Sequence, residues 1–400
     1  MDSISNPQPI IQVIIVEPKS LPSNINNNTQ TNNPINIYEH FTNTILSKFH
    51  GGYFRICFSL SAQALLWKTL IQFIKNNHYH HHDHHHDDYF PYDHHPQHYF
   101  NLHILPSLAC TLLWSISLGI LLSFSILYTL KCFYHYPKVK DEFLHHVGVN
   151  YLFAPWISSL LLLQTSPFIL PWKNNNIYTH ILFWVFVIPI IILDIKIYGQ
   201  YFTKGQRFLS RVANPTCQLS VIANLVASKV GIELGWFEIG LCLFSLAMVH
   251  YLVLFITLYQ RFPCSDGVSM RLRPVFFLFI ATPSMASLVM ASINGGFGEG
   301  SKMLFFLSIF LFMSLVCRPT LFKKSMRKFN IAWWAYSFPL TILALASIDY
   351  AQQLDNGLAQ TLALVLSTLS ILVTLALIVL TTFKINTLFL RTQTTDTFTS

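Results

Sequence analysis

The chain predicts an all-α membrane protein of ten transmembrane helices, five inner proline-kinked helices enclosing a pore and five outer helices around them. Three observations predict it. Of 400 residues, 52% are hydrophobic and 10% charged, and mean hydropathy is +0.46. A soluble domain needs more polar surface than that composition provides. Apolar runs recur at the ~20-residue length that crosses a ~30 Å hydrocarbon core. Basic residues favour alternate loops between those runs, as in multi-pass proteins. A soluble enzyme, a disordered scaffold and a nucleic-acid binder are thereby excluded. The net charge of +8 lies between apolar runs and so belongs to membrane loops.

The elements follow in order. Residues 1–48 are polar, Asn/Thr-rich over Ser23–Asn36, and read as a disordered cytosolic tail. They lack the basic-then-apolar build of a secretory signal. Asn27-Asn28-Thr29 is a glycosylation sequon that counts only if the tail faces a lumen. The ten-helix transmembrane domain covers 49–390, with spans near 52–74, 104–130, 147–166, 177–198, 212–231, 236–259, 274–296, 302–317, 329–350 and 357–383. A short cytosolic C-tail, 391–400, follows. With the N-terminus inside, the external loops hold four basic residues and the internal loops fifteen, so both termini are expected in the cytosol.

The odd-numbered spans carry Pro155, Pro215, Pro283 and Pro339 with Ser, Thr, Asn and Gly, whereas the even-numbered spans are dense in Leu, Phe and Ile. Proline is common in membrane helices generally. It is also tolerated where freed carbonyls face protein or a water-filled cavity. The alternation predicts helix kinks at these four prolines, in an inner ring around a narrow conduit. Pro106 and Pro189, on even spans, are exceptions.

No catalytic constellation is found: HExxH, GxSxG and GxxxxGKS are all missing. Asp194, Asp349, Glu233 and Glu238 stand near span ends without spaced partners. Seven scattered cysteines read as small buried hydrophobes, and no metal or cofactor is expected. Basic residues Lys131, Arg207, Arg211 and Arg318 cluster at cytosolic span ends, where fixed positive charge would form an anion-attracting vestibule. Ordinary positive-inside anchoring would place them there too. Arg55, one turn inside the first span, either joins that vestibule or faces elsewhere; Lys68 reads as snorkelling outward. Between 75 and 101, an extracellular loop holds ten histidines among four aspartates, without fixed spacing, and reads as low-complexity sequence. In the ninth span, Phe338 precedes Pro339. A proline there cannot donate to the Ala335 carbonyl, so the bend can aim the Phe338 ring across an axis and occlude it.

Several runs together resemble plant slow-type (S-type) anion channels: FHGGYFRICFSLSAQALLW (49–67), VNYLFAPW (149–156), LDIKIYGQYF (193–202), ANPTCQLSVIANLVASKVG (213–231), MVHYLVLFITLYQR (248–261), RPVFFLFIATPSMAS (273–287) and NIAWWAYSFPLT (330–341). The wider superfamily includes bacterial tellurite-resistance proteins and fungal malate transporters. The resemblance implies passive chloride and nitrate permeation across the plasma membrane, one pore per protomer, and a homotrimer or a mixed trimer with other such protomers. It implies that Phe338 is the occluding pore gate, that Phe153 is a second pore aromatic, and that Lys131 and Arg318 line the vestibule. Kinases are possible regulators, but the short tails match the short-tailed homologues, which reduces the route by which phosphate charge would act. Two other functions are open: an electrically silent modulatory subunit of mixed trimers, and a malate or dicarboxylate transporter, which would need a titratable group for coupling. Small anions and membrane lipid are the expected partners, and nucleic acid is not.

Overall fold

A backbone in lipid must satisfy its own hydrogen bonds, and helices do this within each segment. The computed structural model describes residues 46–83, 96–167, 177–203, 213–261, 270–319, 329–354 and 356–384, which are helical and contain no strand. Eleven α-helices are described: α1 Phe54–Asp83, α2 Pro96–Tyr134, α3 Tyr136–Leu144, α4 Ala154–Thr165, α5 Ile177–Thr203, α6 Gln218–Glu233, α7 Phe237–Arg261, α8 Leu278–Asn294, α9 Glu299–Val316, α10 Ser337–Leu354 and α11 Gly357–Phe383. A helix meets each of the ten apolar runs, and α3 is additional. Eight of these helices, three of them taken together with the 3₁₀ turn that precedes them, are long and apolar enough to cross a membrane. The helices of the third and fifth runs are shorter, 12 and 16 residues, but 3₁₀ turns of 5 and 3 residues precede them. At 1.5 Å per α-residue and 2.0 Å per 3₁₀ residue, each then reaches about 28–30 Å, close to a hydrocarbon core.

The helices fall into two classes by burial. The spanning windows that contain α1, α8 and α10 are 67%, 72% and 89% buried, and 9 of 12 residues of α4 and 13 of 16 of α6 are buried. The windows of α2, α5, α7, α9 and α11 are only 11–33% buried. Packing runs around a closed circuit of inner helices, α1 to α4 to α6 to α8 to α10 and back to α1. Each outer helix lies against the inner helix that precedes it in the chain. The inner and outer classes expected from the alternation of composition are therefore the observed ones.

Each inner helix is entered through a 3₁₀ turn: Gly51–Tyr53, Val149–Phe153, Pro215–Cys217, Met270–Phe277 and Ile331–Ala335. These turns also pack in a closed circuit, so all five inner helices begin at one mouth and run parallel. Three entries share one device. His50, Asn214 and Asn330 are extended, and their side chains accept from the N–H two residues on, at 3.1, 2.9 and 2.9 Å. That satisfies a donor the helix start would leave orphaned.

The turns correct the expectation for the prolines. Pro155 is the second residue of α4, Pro215 opens the turn before α6, and Pro339 is the third residue of α10. A proline is well tolerated at the start of a helix, and these three stand at helix entries, not in mid-helix. Pro283 does lie inside its helix, α8. The His-rich segment also differs from a plain loop: the α1 backbone continues to Asp83 and α2 begins at Pro96, while 84–95 lie outside the described residues, as do the tails at 1–45 and 385–400.

Between helices in lipid, close packing and side-chain hydrogen bonds replace the hydrophobic drive. Gly240 of α7 shows the first: a Cβ there would overlap Ile232 and come 3.0 Å from the Ser228 carbonyl of α6. Ser228 Oγ donates to the Gly240 carbonyl at 2.5 Å. Gly119 on α2 has open space around it. Gly240→Ala should therefore lower the melting temperature of the solubilised protein, by a destabilisation of about 1–3 kcal/mol for overpacking. Gly119→Ala should leave it unchanged or raise it. Equal melting temperatures for both variants would show that the α6–α7 contact is looser than described.

Candidate functional site

The seam between α1 and α10 closes the inner circuit. Gln63 Oε1 on α1 lies 3.0 Å from Thr341 Oγ1 on α10, and 3.3 Å from both Ser370 Oγ and Thr374 Oγ1 on α11. Toward the entry mouth, Ser59 Oγ donates to the Trp334 carbonyl at 3.2 Å. On the same two helices, the rings of Phe58 and Phe338 meet edge to face, with centroids 4.7 Å apart and planes at 75°. Phe338 is the second residue of α10, set directly after the turn Ile331–Ala335. Phe338 and Phe153 are fully buried and Phe58 nearly so. Phe153 ends the turn before α4, on another side of the circuit.

At the entry mouth the structure places the basic residues in unlike settings. Lys131, near the end of α2, is buried and paired at 2.8 Å with Glu142 Oε2 of α3. The other carboxylate oxygen, Oε1, accepts from Gly51 N at 2.5 Å. The short helix α3 makes this possible: a 101° bend joins it to the segment Val149–Thr165 and folds Glu142 back against the first entry turn. Gly51 admits it closely, since a Cβ there would lie 3.0 Å from Oε1. Arg55, in the first turn of α1, is also buried; its guanidinium carbon sits 4.2 Å from the centre of the Tyr151 ring. Just before the span, burial, Arg55 and Lys131 push His50 down to about 3, so its ring is neutral at physiological pH. Arg318, just past α9, is exposed. Arg207 and Arg211 lie outside the described residues. Lys131 is thus half of a neutral pair rather than a free vestibule charge.

A second polar cluster lies at the opposite mouth. Lys229 Nζ is 2.8 Å from Glu233 Oε1 on α6 and 3.4 Å from Ser292 Oγ on α8. Gln164 of α4 donates to both Glu233 oxygens at 2.9 and 2.8 Å. Lys68 of α1 donates to the Gln164 carbonyl at 2.8 Å. Glu233 therefore has partners, contrary to expectation, and Lys68 turns to a neighbouring helix end instead of snorkelling away. Asp194 likewise accepts from Asn224 at 2.7 Å, tying α5 to α6.

Sequence reasoning missed Glu142 and α3. The signal was present: two acids, Asp141 and Glu142, stand in an otherwise basic loop with apolar residues Tyr136, Val139, Phe143 and Leu144 at helical spacing. Among the described residues, no group of three or more His, Cys, Asp or Glu could hold a metal ion.

Comparison with known proteins follows the same outline. A family model described as voltage-dependent anion channel matches residues 48–382. The S-type anion channel SLAH1 of Arabidopsis thaliana is 51% identical, over 86% of this chain and 83% of its own. S-type anion channel SLAH4 of the same plant is 49% identical, over 84% of each chain. Its guard cell S-type anion channel SLAC1 is 38% identical over 81% of this chain, which is 54% of the longer relative.

Removing one partner of a buried ion pair strands the other charge, at a cost of about 3–5 kcal/mol. Glu142→Gln should therefore destabilise the solubilised protein strongly, and Lys131→Met introduced with it should restore most of the melting temperature. A double variant as unstable as Glu142→Gln alone would mean that the carboxylate acts chiefly through Gly51 N.

Proposed function

This chain belongs to the voltage-dependent anion channel family, and on that premise we propose that it is a slow-type anion channel passing chloride and nitrate passively across the plasma membrane. It is a multi-pass membrane protein, and its relatives are named as channels, so its class is transport and not catalysis. The observation that carries the proposal is the closed circuit of five inner helices that all begin at one mouth. Parallel helices present their positive dipole ends together there, which favours an anion over a cation. In this reading all ten helical segments cross the bilayer, and the loop charges place both termini in the cytosol. The entry mouth is then cytosolic.

Phe338 is the gate in this reading. Its ring and that of Phe58 fill the α1–α10 seam. An anion meeting two apolar rings must shed water with no donor to replace it. Phe153 is the second aromatic of the occlusion. The vestibule draws its free charge from exposed Arg318, with Arg207 as a further contributor; Lys131 acts with Glu142 as a neutral brace. The protomer carries its own pore and assembles as a trimer, alone or with related protomers.

Replacing Phe338 separates a gate from ordinary packing. As a gate, Phe338→Ala raises basal anion current per channel at the cell surface, expressed alone or with a conducting relative. As packing, the same change leaves a cavity costing about 3–5 kcal/mol and lowers surface expression. Surface-normalised current, with Phe255→Ala on α7 as control, reads the difference. A Phe338→Ala protein that reaches the surface and conducts no more than wild type is not gated by that ring.

A further inference from the structure

Arg55 is only 5% exposed, and its Nε and Nη1 atoms are buried without a hydrogen-bond partner. A buried guanidinium lacking a counter-charge is strongly unfavourable, so its retention calls for something negative. The neighbouring carboxylate is already engaged. Glu142 gives one oxygen to Lys131 at 2.8 Å and the other to Gly51 N at 2.5 Å. The Tyr151 ring covers one face of the guanidinium at 4.2 Å and supplies only part of the missing compensation. The hydroxyl of that same tyrosine is itself buried without a partner. His50, which caps the entry turn before Arg55, carries no negative charge in either protonation state.

The position adds a second argument. Arg55 follows the first entry turn directly, and Tyr151 belongs to the entry turn of α4. The unpaired donors therefore sit where two of the five converging helix starts meet, in a positive local field. We propose that Arg55 and the Tyr151 hydroxyl hold one small inorganic anion at the entry mouth, both as the counter-ion of the buried guanidinium and as a station of the permeating ion. This rests on the anion-channel reading above and names a binding site within it.

The test reads binding without conduction. The full chain, solubilised in detergent, is melted at constant ionic strength while sodium gluconate is replaced by sodium chloride or sodium nitrate. Wild type should show a saturable rise in melting temperature with either small anion. In Arg55→Gln the rise should disappear, and the melting temperature in gluconate should equal or exceed that of wild type, because an uncompensated charge has been removed. Arg55→Lys and Tyr151→Phe should keep the rise with half-saturating concentrations at least several-fold higher. If Arg55→Gln does not fold, these two milder variants decide. Two results overturn the site: a wild-type protein with no saturable response, or variants that saturate at the wild-type concentration. The channel reading fails separately, if the protein binds the anion but carries no anion current.

Discussion

The closure of α1 against α10 is the contact on which the rest of the architecture depends. It joins residues 278 positions apart, Gln63 and Thr341, and turns a linear run of helix pairs into a circuit. Lipid provides no hydrophobic force to drive that closure, so it must come from packing and from side-chain hydrogen bonds that have no better partner in hydrocarbon. The seam supplies both. Hydroxyls of Thr341, Ser370 and Thr374 gather about one amide oxygen, and the Phe58 and Phe338 rings interlock beside them. The proposed gate thus lies on the same two helices as the clasp. Movement of the Phe338 ring by rotamer change is compatible with an intact clasp, whereas separation of α1 from α10 is not.

The entry mouth obeys the same economy of polar groups. His50, Asn214 and Asn330 close the starts of three inner helices with their own side chains. Glu142 closes another gap from outside, accepting from Gly51 N while neutralising Lys131. At the far mouth, Lys68, Gln164, Glu233 and Lys229 link α1, α4 and α6 into one network. Against this background of partnered charges Arg55 stands out, since its buried donors have only an aromatic face for company.

Much of this was legible in the chain itself. Apolar length and loop charge located all ten helical runs, and the alternation between Ser/Pro-bearing and Leu/Phe-dense runs separated inner helices from outer ones. The motifs around 49–67 and 330–341 pointed to the family that the comparisons show. The prolines were misread because periodicity reveals a helix and not its first residue. Pro155 and Pro339 lie where a 3₁₀ turn gives way to an α-helix, and Pro215 opens such a turn, boundaries set by neighbouring turns. The pairing of Lys131 with Glu142 was invisible for a related reason. It depends on the bend after α3, and loop charge counts treat such a lysine as free. Lys68 and Glu233 found partners on other helices, which local pattern does not report.

The most direct test of the central claim is the reversal potential of current through the purified protein in a planar bilayer. With a tenfold potassium chloride gradient, passive anion conduction predicts reversal about 59 mV from zero, at the chloride equilibrium potential. An imposed proton gradient should not move it. Reversal at the cation potential would contradict an anion pathway, and reversal that follows the proton gradient would contradict passive flow through the inner ring.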